Sequence, residues 1–169
     1  AADLNSKIMN GYRQRIADSL LKDKLDAFGA VLIEGPKWCG KTTTAEQQAK
    51  SILYMADPSR LNQNKELARI NPQFLLEGST PRLIDEWQEA PQLWDAARFE
   101  IDHRSEIGQF IFTGSAVPAD SSLLSHTGTG RFSWLRMRPM SLFESGESTG
   151  EISLSAIIKG DKSNLVQVD

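Results

Sequence analysis

Apolar residues in this chain concentrate in five short segments, at residues 30–34, 51–55, 82–85, 109–113 and 132–137. Runs of this length bounded by turn residues read as strands buried on both faces. The stretches between them carry a different period. Ile16, Leu20, Leu21, Leu25 and Phe28 recur at helical spacing, and Gly29 closes that run. Residues 42–50 and 60–70 also read as helices, the second with Leu61, Leu67 and Ile70 on its apolar side. Asn71-Pro72 breaks that helix and opens a shorter one that Gly78 stops, Asn serving as cap and Pro as first helical residue. Ala90-Pro91 opens a helix with Leu93, Trp94, Ala97 and Ile101 facing inward, ending near Gly108. Residues 121–125 read as one helical turn, Ser141-Leu142-Phe143-Glu144 as a capping box, and a last helix starts at Ser153. Strands alternating with helices predict an α/β fold: a parallel sheet with helices on both faces. No internal repeat or low-complexity tract interrupts it.

Ligands of such sheets bind at the carboxyl ends of the strands, and the chemically distinctive residues lie there. The first strand runs into Gly35-Pro36-Lys37-Trp38-Cys39-Gly40-Lys41-Thr42-Thr43, a Gly-x-x-x-x-Gly-Lys-Thr loop followed by a helix. Gly35 and Gly40 let the backbone curl and approach phosphate oxygens. The loop amides, proline excepted, can then face one concavity that attracts anions. Lys41 supplies a point charge for the outer phosphates, and the Thr42 hydroxyl can ligate Mg²⁺. Chance produces such a window roughly once in thirty thousand.

The third strand ends Leu83-Ile84-Asp85-Glu86. Asp85 is placed to hold Mg²⁺ opposite Thr42, and Glu86, one step further out, to polarise a water for attack on the terminal phosphate. The fourth strand ends Phe112-Thr113-Gly114-Ser115. Thr113 and Ser115 are both candidates to sense the γ-phosphate, against the plainer role of satisfying backbone at a turn. Arg131, after Gly128-Thr129-Gly130, is the candidate to reach the transferring phosphoryl group, in its own site or a neighbour's, with Arg136 and Arg138 behind it. Trp87 reads as packing surface, Asp102 as a solvated or capping acid, and His103 and His126 as surface residues without metal-ligand spacing.

Composition narrows the setting. The chain has 169 residues, 40% of them hydrophobic, enough for one domain with a sizeable core. Its net charge of −3 does not suit a general polyanion binder, so nucleic acid is not indicated. The single cysteine, Cys39, excludes an intramolecular disulfide and reads as a small residue that fits the loop. No run of 18 apolar residues exists and the first ten residues lack a signal-peptide pattern, so a cytoplasmic protein off the membrane is expected.

Together, residues 35–43, Leu83-Ile84-Asp85-Glu86-Trp87-Gln88, Phe112-Thr113-Gly114-Ser115, Gly130-Arg131 and Arg138-Pro139-Met140-Ser141-Leu142-Phe143-Glu144 resemble the AAA-like P-loop ATPases of bacteria and archaea in which a C-terminal domain follows the ATPase module. The resemblance implies the additional-strand type of P-loop fold, with five parallel strands in order 5-1-4-3-2. It implies ATP and Mg²⁺ as ligands, with Lys41, Thr42, Asp85 and Glu86 at the nucleotide. The chain stops soon after the fifth strand, short of the usual small helical lid, so it is expected to be an isolated N-terminal module. Its layout would be an N-terminal arm at 1–14, the ATPase domain at 15–145 and a tail at 146–169 leading to an absent domain. The expected activity is Mg²⁺-dependent ATP hydrolysis that drives or gates the attached domain, and the partner expected beside the nucleotide is a homo-oligomer or neighbour that supplies an arginine in trans. Two rivals are a nucleotide-gated interaction switch with negligible turnover and a small-molecule kinase. ATP is expected over GTP because no Asn-Lys-x-Asp segment occurs.

Overall fold

The computed structural model describes residues 11–114, 131–150 and 154–160. The chain divides into two compact units, Ile16–Pro139 and Ala1–Arg15 with Met140–Asp169. The first unit holds the sheet. Its elements are α1 (Ile16–Leu25), β1 (Ala30–Glu34), α2 (Lys41–Glu46), β2 (Ser51–Tyr54), α3 (Leu61–Ile70), α4 (Pro72–Leu76), β3 (Arg82–Asp85), α5 (Gln92–Arg104), β4 (Phe110–Gly114) and β5 (Phe132–Arg136). A single 3₁₀ turn, Trp87–Glu89, lies between β3 and α5. All strand pairs are parallel, in the order β2-β3-β4-β1-β5. Read from the other edge this is 5-1-4-3-2, the order implied by the resemblance.

Alternate strand residues feed two separate cores, as a period of two requires. Leu32, Ile84, Phe110, Phe112 and Phe132 pack with Leu75, Leu76, Trp87, Leu93, Trp94 and Ile101. Val31, Ile33, Leu83, Ile111 and Leu135 pack on the other side with Ala17, Leu21, Leu25 and Ala45. Helices therefore cover both faces, and the three inner strands β3, β4 and β1 are almost wholly buried, while alternate residues of the edge strands β2 and β5 are exposed. Trp94 binds the first core together: its ring stacks on Phe132 at 4.2 Å and lies 5.4 Å from Phe112 and 5.2 Å from Trp87. Trp87 is thus packing surface, as its place in the sequence suggests.

The helices depart from the sequence pattern in detail. In α1 the buried stripe is Ala17, Leu21 and Leu25, while Ile16 and Leu20 are 54% and 45% exposed. The apolar positions span too wide an arc for one sheet contact, and the stripe with strict four-residue spacing takes it. In α3 the buried residues are Asn64 and Ala68, and Ile70 is 67% exposed. Asn64 donates from Nδ2 to the Tyr54 carbonyl at 3.3 Å, which accounts for a polar residue on the buried side. Asn71 precedes Pro72 as expected, but its side chain makes no capping bond. Helix α2 ends at Glu46 rather than residue 50, because Gln47 and Gln48 bond to carbonyls three residues back and tighten the chain. The turn expected at residues 121–125 lies outside the described residues.

In the second unit, α6 (Leu142–Ser145) opens with the expected capping box, Ser141 and Glu144 each accepting from the other's backbone N–H. Arg15 reaches Glu144 from Nε at 3.0 Å, and both side chains are nearly buried. The last described helix, α7, is Leu154–Ile158. Among the described residues no helix is long and apolar enough to cross a membrane.

Phe112 is wholly buried between strands and Trp94. Phe112→Ala should cost about 3–5 kcal/mol of stability. Urea unfolding should show this as a lower midpoint at unchanged slope.

Candidate functional site

The loop between β1 and α2 turns on three backbone conformations. Gly40 caps α2 in the left-handed region, φ 94° and ψ 18°, where a side chain is unfavourable. A Cβ on Gly35 would collide with the carbonyl oxygen of Met137, just past β5, so only glycine allows this close approach. Trp38 also has positive φ, 62°, and its side chain is 99% exposed. Cys39 is buried, its Sγ 3.9 Å from the Met137 carbonyl, in keeping with a small residue that fits the loop. Lys41 is buried and bends over the loop, donating from Nζ to the carbonyls of Pro36 at 2.8 Å and Gly35 at 3.0 Å. The ammonium is thus held inside the curl of the loop. A cleft of about 500 Å³ opens there, lined by Lys37, Trp38, Gly40, Lys41, Thr42, Thr43 and Glu86. That is room for a phosphorylated ligand.

The structure brings the two predicted metal residues together. Thr42 donates from Oγ1 to Asp85 Oδ1 at 2.7 Å. Thr113 donates to the same oxygen at 2.6 Å. The sheet register makes this possible, since Asp85 and Thr113 are direct partners across β3 and β4. Thr113 is buried with its hydroxyl directed to Asp85, so in this arrangement it orients the carboxylate. Ser115, the other candidate sensor, lies outside the described residues. A hydroxyl and a carboxylate are hard oxygen donors and fit Mg²⁺. Among the described residues no group of three or more His, Cys, Asp and Glu could hold a metal by itself. The set therefore fits an ion that takes its remaining ligands from phosphate and water, as Mg²⁺ commonly does.

Glu86 faces the same cleft from a left-handed backbone, φ 54° and ψ 48°. That region costs a non-glycine residue about 1–2 kcal/mol. Two of the three described non-glycine residues with positive φ, Trp38 and Glu86, border this cleft. Strain of this kind concentrates at functional sites. Gln88 donates from Nε2 to Glu86 Oε2. The sequence signals this partner only as the residue two places after the acids.

Arg131 lies elsewhere. It precedes β5, and its carbonyl accepts from Ala30 at the start of β1, whereas the loop follows the end of that strand. The five residues of β1 separate the two rims by about 13 Å. Its guanidinium pairs with Asp102 on α5, so Asp102 is an ion-pair partner rather than a solvated or capping acid. Arg136, at the loop rim, pairs with Glu34 at 3.1 Å. His103 is exposed and stacks on Phe99 at 3.7 Å, and His126 lies outside the described residues.

A further pair borders the site without a sequence signal. Tyr54, at the end of β2, donates to Glu46 of α2 at 2.6 Å. This bond to a carboxylate, with partial burial, pushes the phenol up to about 12.

A family model described as "AAA domain" matches residues 27–145. The chain belongs to this AAA family. It is accordingly an AAA-like P-loop ATPase module, the family to which its motifs point. The curated relatives "Uncharacterized protein Rv2008c" of Mycobacterium tuberculosis and "Uncharacterized protein Mb2031c" of Mycobacterium bovis are each 27% identical over 139 residues, covering 82% of this chain and 31% of theirs. The chain thus spans about a third of the length of the curated relatives it matches. Among solved structures, the Walker-type ATPase PABY2304 of Pyrococcus abyssi aligns with a TM-score of 0.52 at 16% identity, over 86% of this chain and 59% of that one. PCH-2 of C. elegans aligns with a TM-score of 0.42 at 15% identity, over 90% and 47%. At this identity the Pyrococcus likeness supports the fold alone.

The Tyr54 bond gives a pH prediction. A phenol raised in the folded state adds stability below its ordinary value of about 10. That contribution is lost as pH rises through about 12. Ultraviolet titration should show one phenol ionising near 12, absent in Tyr54→Phe and shifted down in Glu46→Gln.

Proposed function

We propose that this module binds ATP and hydrolyses it with Mg²⁺, driving or gating the rest of the protein of which it is part. The observation that carries the reading is the single Asp85 oxygen accepting from Thr42 beside the loop and from Thr113 on β4. It joins the metal-binding hydroxyl, the strand-end acid and the phosphate loop at one rim of the sheet.

In this reading residues 35–43 wrap the β- and γ-phosphates, and Lys41 turns from the loop carbonyls to the phosphate oxygens. Thr42 and Asp85 would hold Mg²⁺, which would supply neutralisation of phosphate charge. Thr113 fixes the direction of Asp85. Glu86 takes a proton from the attacking water as its oxygen bonds to the γ-phosphorus. The bond from that phosphorus to the bridging oxygen breaks, and ADP leaves with the electron pair. Ser115 is assigned the contact with the γ-phosphate, since Thr113 is engaged with Asp85. Arg131 sits at the far rim of its own sheet, so its part in phosphoryl transfer would be played at a neighbouring copy's site. The absence of an Asn-Lys-x-Asp segment supports ATP over GTP. A cytoplasmic location completes the reading, supported by the single cysteine, Cys39.

Calorimetry with Mg-ATP should show at least about tenfold weaker binding for Lys41→Ala. Glu86→Gln should keep the affinity and slow hydrolysis by about 10²–10⁴. Thr113→Val should raise the Mg²⁺ concentration needed for half-maximal binding. Unchanged affinity in Lys41→Ala would overturn the nucleotide assignment.

A further inference from the structure

Gln88 is bonded to the site by one end of its carboxamide and packed against it by the other. Nε2 donates to Glu86 Oε2. Oε1 is buried and has no hydrogen-bond partner among the described residues. It lies at the end of β4, 2.6 Å from where a Cβ on Gly114 would stand. Trp87 fills the other side of that spot, its Nε1 3.1 Å away. Gly114 directly follows Thr113, whose hydroxyl holds Asp85.

Residues two apart do not face each other along a helix. The left-handed turn at Glu86, φ 54° and ψ 48°, re-aims its carboxylate at the start of the 3₁₀ turn and lets the two side chains meet. The carboxamide is wedged by Trp87 and the strand end, and a buried oxygen left unpaired is unfavourable. A strained backbone and an unpaired oxygen both accompany one contact, the bond to Glu86.

We propose that Gln88 is a positioning residue for Glu86: its carboxamide, seated against Gly114 at the end of β4, sets the direction in which the carboxylate meets the attacking water. Gly114 is the seat, since any side chain there would push the carboxamide away. This rests on the ATPase reading above. It also gives the end of β4 a route to Glu86, because displacement at Gly114 moves the carboxamide and with it the base.

The test is a double-mutant cycle on single-turnover hydrolysis of Mg-ATP, with affinity and melting temperature measured on every variant. Gln88→Leu should slow the chemical step by about 10- to 100-fold, as expected of a misplaced base, with nucleotide affinity unchanged. In a Glu86→Gln background the same substitution should cost nothing further. Gly114→Ala, which removes neither side chain but displaces the carboxamide, should slow the step in the same way. A wild-type rate in Gln88→Leu, or equal losses with and without Glu86, would overturn the proposal. If Glu86→Gln hydrolyses like the wild type, the ATPase reading fails instead. A readout independent of turnover completes it. In ¹⁵N-labelled protein the Gln88 side-chain amide should exchange slowly with solvent, and fast in Glu86→Ala. Fast exchange in the wild type would overturn the contact itself.

Discussion

One carboxylate oxygen organises the site. Asp85 Oδ1 accepts from a hydroxyl on α2 and from another on β4, and Asp85 itself ends β3. A carboxylate as buried as this one needs such partners, since burying an unpaired charge is costly. The demand fixes three elements against one another. It holds the helix after the phosphate loop to the sheet, and it aligns the ends of β3 and β4.

The strand order makes that junction possible. β4 lies between β1 and β3, so the loop after β1 and the acids after β3 flank the end of β4. Each of these strands is buried on both faces, and the two cores are large and apolar. The polar groups emerge only where the strands stop. The sheet thus acts as a rigid base, and the chemistry is confined to one rim.

Most of this was legible in the chain because strands buried on both faces leave an unbroken apolar signature. The loop from Gly35 to Thr42, the acids and the strand-end hydroxyls could be placed by where those runs end. Helix faces were less legible. Ile16 and Leu20 look inward by spacing and lie exposed, and Asn64 is polar but buried against the Tyr54 carbonyl. Spacing along one element does not reveal which stripe a partner will cover. Thr42 beside Asp85 was legible from the motifs, but Arg131 with Asp102, Tyr54 with Glu46 and the Thr113 bond to Asp85 were not, since they depend on tertiary register. Gln88 was visible but mute, since its importance comes from a left-handed turn at a glutamate, which residue preference does not foretell.

The contact between Gly35 and the Met137 carbonyl has a mechanical consequence. The Met137 amide bonds to the Glu34 carbonyl at 2.7 Å, and Cys39 rests on the same Met137 carbonyl. The root of the loop and the exit of the outermost strand therefore behave as one stiff bracket. The opposite lip is held in another way, by the left-handed turn at Glu86 and the bond its carboxylate accepts from Gln88.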